Sequence, residues 1–325
     1  MMYVFIALGF VLLLGGAEYL VKGSVGLARR VGVSPLVIGM TVVALGTSAP
    51  EFVVSLDAAL KDSAGIATGN IIGSNIANIL LILGITALIK PIVNEPKAIL
   101  RDGVILLATT VLFVILCLQG ELGLASGILM FGAFILFLIY SYWRERAGSD
   151  KELAEMHEHE AEEIEAPENI WLMILMTIGG IVAVVYGAEL LVNGATSIAR
   201  EYGVPEEVIG LTMIAVGTSL PELAASGMAA LRGHTDVALG NVIGSNLFNV
   251  LGVLGAVSII QPLPVAEQIL HFDLWVMLGA TVLLLPFMMT NWQLSRKEGL
   301  VFFVLYIVYM GCQVYGVDRL LNLGL

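Results

Sequence analysis

The sequence predicts an all-α membrane protein: ten transmembrane helices in two inverted five-helix repeats. Three observations carry that prediction. Apolar residues make up 58% of the 325, charged residues only 13%, and the mean hydropathy is +0.94. A water-soluble domain has roughly 45–50% apolar and about 25% charged residues, so this chain has too little polar surface to cover itself in water. The apolar residues also run in stretches of about 20, the length a helix needs to cross the hydrocarbon core. Finally, the first half of the chain reappears in the second half at a constant offset of 171 residues.

Breaks at charges and at Gly, Pro and Asn clusters give ten spans, near 3–27, 35–60, 69–89, 100–119, 122–142, 170–198, 206–231, 240–261, 272–290 and 299–317. The first has no basic flank and no small-residue cleavage site, so it reads as a span and not as a cleaved signal peptide. Placing Arg29 and Arg30 in the cytoplasm puts eleven of the fifteen Lys and Arg residues in cytoplasmic loops, and only Lys61, Arg200 and Arg319 outside. That asymmetry follows the positive-inside rule and puts both termini outside. Trp143, Trp171 and Trp292 fall near span ends, where aromatic belts form.

The net charge of −12 is concentrated. Residues 144–168 hold ten acids and three bases and read as a solvated cytoplasmic linker between a first repeat, 1–143, and a second, 169–325. His157 and His159 lie among these acids, but the segment lacks the Asp-rich pattern of a calcium loop. The rest of the chain is nearly balanced, which suggests no nucleic-acid partner. Cys117 and Cys312 sit in apolar runs and read as small buried residues, too few for a disulfide framework.

The repeat is clearest in two blocks. Residues 38–56 (IGMTVVALGTSAPEFVVSL) match 209–227 (IGLTMIAVGTSLPELAASG) at ten of nineteen positions, and 69–80 (GNIIGSNIANIL) match 240–251 (GNVIGSNLFNVL) at eight of twelve. The same offset relates Gly16-Ala17-Glu18 to Gly187-Ala188-Glu189, Pro91 to Pro262, and Asp102 to Asp273. Five spans per copy means that the second copy enters the membrane from the opposite side. Such inverted repeats are a transporter architecture, with the site at the midplane where the halves meet.

Glu51 and Glu222 occupy matching positions two thirds of the way along apolar spans. An intramembrane carboxylate is costly and needs a partner or a water-lined cavity. No base lies in either span. Pro50 and Pro221 each remove a backbone donor, so the carbonyls of Gly46 and Gly217 lose their helical partners and the helices should kink. Irregular backbone at membrane depth is tolerated only against protein or a water-filled cavity. Thr47, Ser48, Thr218 and Ser219 add hydroxyls beside the acids. Such hard oxygens suit calcium, sodium or magnesium. Two carboxylates balance one Ca2+, which takes 6–8 oxygens in flexible geometry; magnesium demands a tighter octahedron.

In the second block Ser74 and Asn78, like Ser245 and Asn249, are four apart and share a helix face. They read as ligands or as interhelical hydrogen-bond partners. Asn70 and Asn241 read equally as helix caps. Glu18 and Glu189 line an ion path or pair with a base such as Lys22. Asp102 and Asp273 begin spans, where an acid favours the helix dipole. Gly15, Gly16, Gly23 and Gly26, with Gly187 and Gly194, make the first and sixth spans smooth enough to slide.

These doubled motifs, Gly46-Thr47-Ser48-Ala49-Pro50-Glu51 with Gly217-Thr218-Ser219-Leu220-Pro221-Glu222, and Gly69–Asn78 with Gly240–Asn249, resemble the alpha-repeats of the cation/calcium exchanger superfamily. The likeness is to its prokaryotic sodium/calcium exchanger branch and covers nearly the whole chain. It implies ten helices in two inverted halves, alternating access, three Na+ exchanged for one Ca2+, no cofactor, and residence in a prokaryotic inner membrane, with a monomer sufficing. It also implies a calcium site of Glu51, Glu222, Thr47 and Thr218, and sodium ligands at Ala44, Ser48, Ser74, Asn78, Ala215, Ser219, Ser245 and Asn249, with backbone oxygens used at the two alanines. Potassium-dependent members carry Asp where this chain has Asn249, which argues against potassium dependence. Proton/calcium exchangers carry Gly-Asn-x-x-Glu instead, absent here. A proton/calcium antiporter remains the nearest rival and a cation channel the alternative of another class. A membrane hydrolase would need nucleophilic residues that the core motifs lack.

Overall fold

The computed structural model describes residues 2–61, 64–93, 96–146, 169–202 and 215–317. The histidines of the linker, 157 and 159, lie outside them. Helix α1, Met2–Val31, stops at Gly32, whose φ of 74° lets the N–H groups of Gly32 and Val33 both reach the Ala28 carbonyl at 3.0 Å. After it come α2, Pro35–Thr47, and α3, Ala49–Leu60, two helices bent by 44° at Ser48. Helix α4 spans Gly65–Ile89, strand β1 Ile92–Val93, α5 Pro96–Cys117, β2 Glu121–Leu122 and α6 Leu124–Arg146.

The second half follows the same order: α7, Ile170–Glu201; α8, Ala215–Thr218; α9, Leu220–Leu231; α10, Thr235–Ile260; β3, Leu263–Pro264; α11, Ile269–Trp292; β4, Gln293–Leu294; and α12, Arg296–Tyr315. Among the described residues, eight helices are long and apolar enough to cross a membrane, and nine if the bent α2–α3 pair counts as one. The span expected at 206–231 begins outside the described residues; α8 and α9 are its described part. The protein is a helical, multi-span membrane protein.

Helices α4 and α10 form the centre. In their most apolar windows 83% and 78% of residues are buried, against 17–50% for the other long helices. The halves are stitched across each other. From the first half, α6 packs along the end of α10, with Gly127 against Gly255 and Ile259; from the second, α12 packs along the end of α4, with Gly84 against Gly299 and Phe303. Strand β1 pairs antiparallel with β4, and β2 with β3. These two-residue ladders were not expected from the helical patterning; they satisfy backbone groups where apolar helices end.

Outside this core, α1 and α7 lie against each other along a glycine seam. A Cβ on Gly9 would come within 2.8 Å of the Gly187 carbonyl, one on Gly16 within 2.8 Å of Val184 N, and one on Gly23 within 2.6 Å of Thr177 N. Gly180 and Gly187 press reciprocally on Leu20 and Leu13. The glycines expected to smooth these helices for sliding instead lie in the contact between them, and their residues differ: Gly15 meets nothing within 4 Å, and Gly9 joins Gly16 and Gly23 at a seven-residue spacing.

Candidate functional site

The two bends are built alike. Ser48 (φ −86°, ψ 11°) separates α2 from α3, and Ser219 (φ −88°, ψ 2°) separates α8 from α9. Each break precedes the proline by two residues, and Glu51 and Glu222 fall in the first turn of the half-helix that follows. The missing proline N–H accounts for the break, and a carboxylate at a helix N-terminus is favoured by the exposed N–H groups there. Both glutamates are buried, Glu51 1% and Glu222 0% exposed, and each lies within electrostatic reach of the other. No described Lys, Arg or His pairs with either.

Hydrogen bonds tie the bends to the central helices. Ser48 Oγ donates to Glu222 Oε1 at 2.7 Å and lies 2.9 Å from Ser245 Oγ. Thr47 Oγ1 donates to Asn241 Oδ1 at 3.2 Å and lies 3.5 Å from the Ala44 carbonyl, which also accepts from the Ser48 N–H at 3.0 Å. Ser74 sits beside Glu51. Thr218 is half-buried, and Ala215 is the first described residue of its segment.

Asn70 and Asn241 are not caps. Asn70 Nδ2 donates to the Glu51 carbonyl (3.4 Å) and Ser55 Oγ (3.1 Å); Asn241 Nδ2 donates to the Glu222 carbonyl (3.4 Å) and Ser226 Oγ (3.0 Å). Each therefore braces the backbone of a glutamate in its own repeat. Asn75 and Asn246, which no helix-face spacing singles out, join the centre. Asn78 Nδ2 donates to Asn246 Oδ1 at 3.0 Å, Asn249 Nδ2 to Asn75 Oδ1 at 3.2 Å, and Asn75 Nδ2 to the Asn246 carbonyl at 3.3 Å. Their signal was the repetition itself, since both stand inside the doubled block. The i,i+4 spacing selects the face of Ser74 with Asn78 and of Ser245 with Asn249, and Asn75 and Asn246 stand one residue further round the helix.

Because Asn78 and Asn249 commit their Nδ2 groups to the facing helix, their Oδ1 atoms are left over, while Asn246 Nδ2 is a buried donor without a partner among the described residues. Glu51 Oε2, Ser74 Oγ, Asn78 Oδ1, Ser219 Oγ, Glu222 Oε2 and Asn249 Oδ1 are buried without a hydrogen-bond partner among the described residues. Unpaired buried acceptors each cost about 1–3 kcal/mol, so six in one cluster call for a positive ligand. Carboxylate, hydroxyl and amide oxygens form a donor set for hard cations. A cavity of about 300 Å3 among the described residues reaches Ser74 from the side of Gly65 and Asp273.

Glu18 turns out to be paired, with Lys22 Nζ at 2.9 Å and Arg232 Nη2 at 2.5 Å. Asp102 is chelated by Arg101 through Nε and Nη2 at 2.5 and 2.7 Å. Asp273 instead accepts from Tyr309, Gln313 and Gln268. Both aspartates thus have partners beyond the helix dipole.

A model of the sodium/calcium exchanger protein family matches residues 1–143 and 172–315, leaving out only the acidic linker and the C-terminal end. The chain belongs to the sodium/calcium exchanger family. Within it, CaxA of Alkalimonas amylolytica is 41% identical over 310 residues, 94% of this chain and 96% of that one. The sodium/calcium exchanger MaX1 of Methanosarcina acetivorans is 34% identical over 343 aligned positions, 95% of this chain and 97% of that one. Structures of the sodium-calcium exchanger NCX_Mj share the fold; one superposes with a TM-score of 0.81 at 34% identity, covering 95% of this chain and 97% of that one. The chain is thus a membrane transporter of the exchanger type.

Proposed function

We propose that this chain exchanges Na+ for Ca2+ across a prokaryotic inner membrane by alternating access, with the ions held between Glu51 and Glu222. One observation carries the reading: two repeat-related carboxylates, buried without a base, share a cluster with unpartnered hydroxyl and amide oxygens. Two carboxylates neutralise one Ca2+, and Thr47 and Thr218 with neighbouring carbonyls complete its shell. Sodium ions use the adjoining oxygens of Ser48, Ser74, Asn78, Ser219, Ser245 and Asn249, with the carbonyls of Ala44 and Ala215. Because the two kinds of ion compete for the same charge, occupancy by one expels the other, and exchange follows without a separate coupling device. The names of MaX1 and NCX_Mj support this choice of ions.

With the span expected at 206–231 the chain crosses ten times, five crossings per half make the repeats inverted, and the positive-inside asymmetry argues for both termini outside and 144–168 in the cytoplasm. Helices α1 and α7, packed together at their glycine seam, slide as one body across the core. Three Na+ move against one Ca2+, and Asn249 makes the exchange independent of potassium.

The test is Ca2+-tracer uptake into proteoliposomes loaded with Na+, with K+-loaded controls. Uptake that requires internal Na+ and is abolished in Glu51→Gln and Glu222→Gln is the expected result. Uptake driven equally by a pH gradient means proton exchange. A gradient-independent leak that survives both substitutions means a channel.

A further inference from the structure

We propose that Glu18 with Arg232, and Glu189 with Lys61, are two alternating positioning pairs, each holding α1 and α7 in place only while the ion cluster is open toward the other pair. The inference rests on the alternating-access reading. The pairing is written twice in the sequence: the 171-residue offset carries Glu18 to Glu189 and Lys61 to Arg232. The bases are equivalent in structure as well, since Lys61 caps the C-terminus of α3 and Arg232 that of α9.

Only one of the two pairs is closed. Glu18 is held by Arg232 through Nε at 2.7 Å and Nη2 at 2.5 Å. Its counterpart Glu189 is exposed and has no ion pair among the described residues, while Lys61 is turned back onto Asp57 of its own helix at 2.7 Å. The local sequence supports each resting arrangement: Lys22, beside Glu18, corresponds to Asn193, and Asp57, beside Lys61, corresponds to Met228.

The ion cluster is asymmetric in the same sense. Ser48 donates to Glu222 Oε1 and meets Ser245, whereas the counterpart hydroxyls of Ser219 and Ser74 have no hydrogen-bond partner among the described residues. Ser245 lies on α10, which follows Arg232, and Ser74 on α4, which follows Lys61. The joined serine is thus on the helix that follows the base of the closed pair, and the unpaired one on the helix that follows the base of the open pair. A chain made of two equivalent halves has a second arrangement in which their conformations are exchanged. In that arrangement Lys61 leaves Asp57 for Glu189, Arg232 releases Glu18, and Ser219, Glu51 and Ser74 join. Because α1 and α7 meet backbone to backbone at glycines, they move as one body, and breaking one pair brings the other together. Exposed pairs contribute modestly, so they bias the balance severalfold and do not lock it.

The experiment uses the full chain with Cys117→Ala and Cys312→Ala, reconstituted in vesicles, and adds Glu18→Cys with Arg232→Cys, Lys61→Cys with Glu189→Cys, or all four. Bridging of the paired thiols by a short bis-methanethiosulfonate, which spans the length the two side chains leave, is read by mass, so it stands apart from which ions are carried; the exchange reading fails on tracer flux instead. Each pair is expected to cross-link, and in the four-cysteine chain either bridge forms but never both in one molecule. Failure of the Lys61→Cys/Glu189→Cys pair under every ionic condition, or both bridges in one molecule, overturns the proposal. In the cysteine-containing parent, Glu18→Gln and Glu189→Gln should shift half-saturating Ca2+ at a given face severalfold in opposite directions. Glu18→Arg combined with Arg232→Glu should restore the parent value. Shifts in the same direction, or no rescue, would mark the residues as merely structural.

Discussion

Ser48 and Ser219 stand at equivalent bends with nearly the same backbone angles, yet their hydroxyls differ in what they touch. Ser48 donates to Glu222 and meets Ser245; Ser219 has no partner among the described residues. Ser48→Ala should therefore strand a buried carboxylate oxygen and cost about 1–3 kcal/mol in ion-free protein. Ser219→Ala should leave ion-free stability nearly unchanged and weaken Na+ binding only. Unfolding in mixed micelles, with and without Na+, measures both, and equal losses in ion-free protein would contradict the asymmetry. Both serines were legible in the sequence as candidates because each neighbours an intramembrane glutamate. Their unequal bonding was not legible, since two matching motifs carry no information about which one is closed.

At the scale of elements, glycines decide how closely helices approach. A Cβ on Gly244 of α10 would strike the Met40 carbonyl and backbone of α2, and one on Gly240 the Leu36 carbonyl. Gly244→Ala should push α10 off α2 and destabilise the protein by about 1–3 kcal/mol, the usual cost of overpacking. Gly132→Ala, on the exposed face of α6 where a Cβ meets nothing within 4 Å, should be neutral. Thermal unfolding of the two variants in detergent separates these outcomes. A glycine in the doubled block permits close approach, but the block carries no information about which helix approaches. Likewise, proline chemistry located the break between α2 and α3. The π-helical turns at Asn78 and Phe248, by contrast, have no local signature of this kind in the sequence.

For the whole molecule, three Na+ against one Ca2+ moves one net charge, so voltage should act on the proposed exchange. In Na+-loaded vesicles an inside-positive potential of ~100 mV is worth ~2.3 kcal/mol and should raise Ca2+ accumulation at equilibrium about 50-fold. Tracer accumulation under K+/valinomycin clamps checks this, and voltage-independent accumulation would mean electroneutral exchange. The acidic linker falls outside the family match and, from residue 147 to 168, outside the described residues. Replacing 147–168 with a Gly/Ser chain of equal length should leave Na+-dependent uptake intact, which the same assay reads.

Composition alone determined that this chain is a membrane protein, because no arrangement of so many apolar residues can be covered in water. Repetition determined that it has two matching halves, and Glu51 and Glu222 stood out because a carboxylate in hydrocarbon demands a compensating partner. Those inferences depend on cost per residue and on local backbone chemistry, which travel with the sequence. Tertiary structure decided that Asn70 and Asn241 brace the glutamate backbones, that Asn75 and Asn246 join the central quartet, and that Glu18 binds Arg232 while Glu189 does not bind Lys61. Each of these is a contact between residues far apart in the chain or in opposite halves. Which of two equivalent contacts is made depends on how the halves are seated, and the motif is the same in either seating.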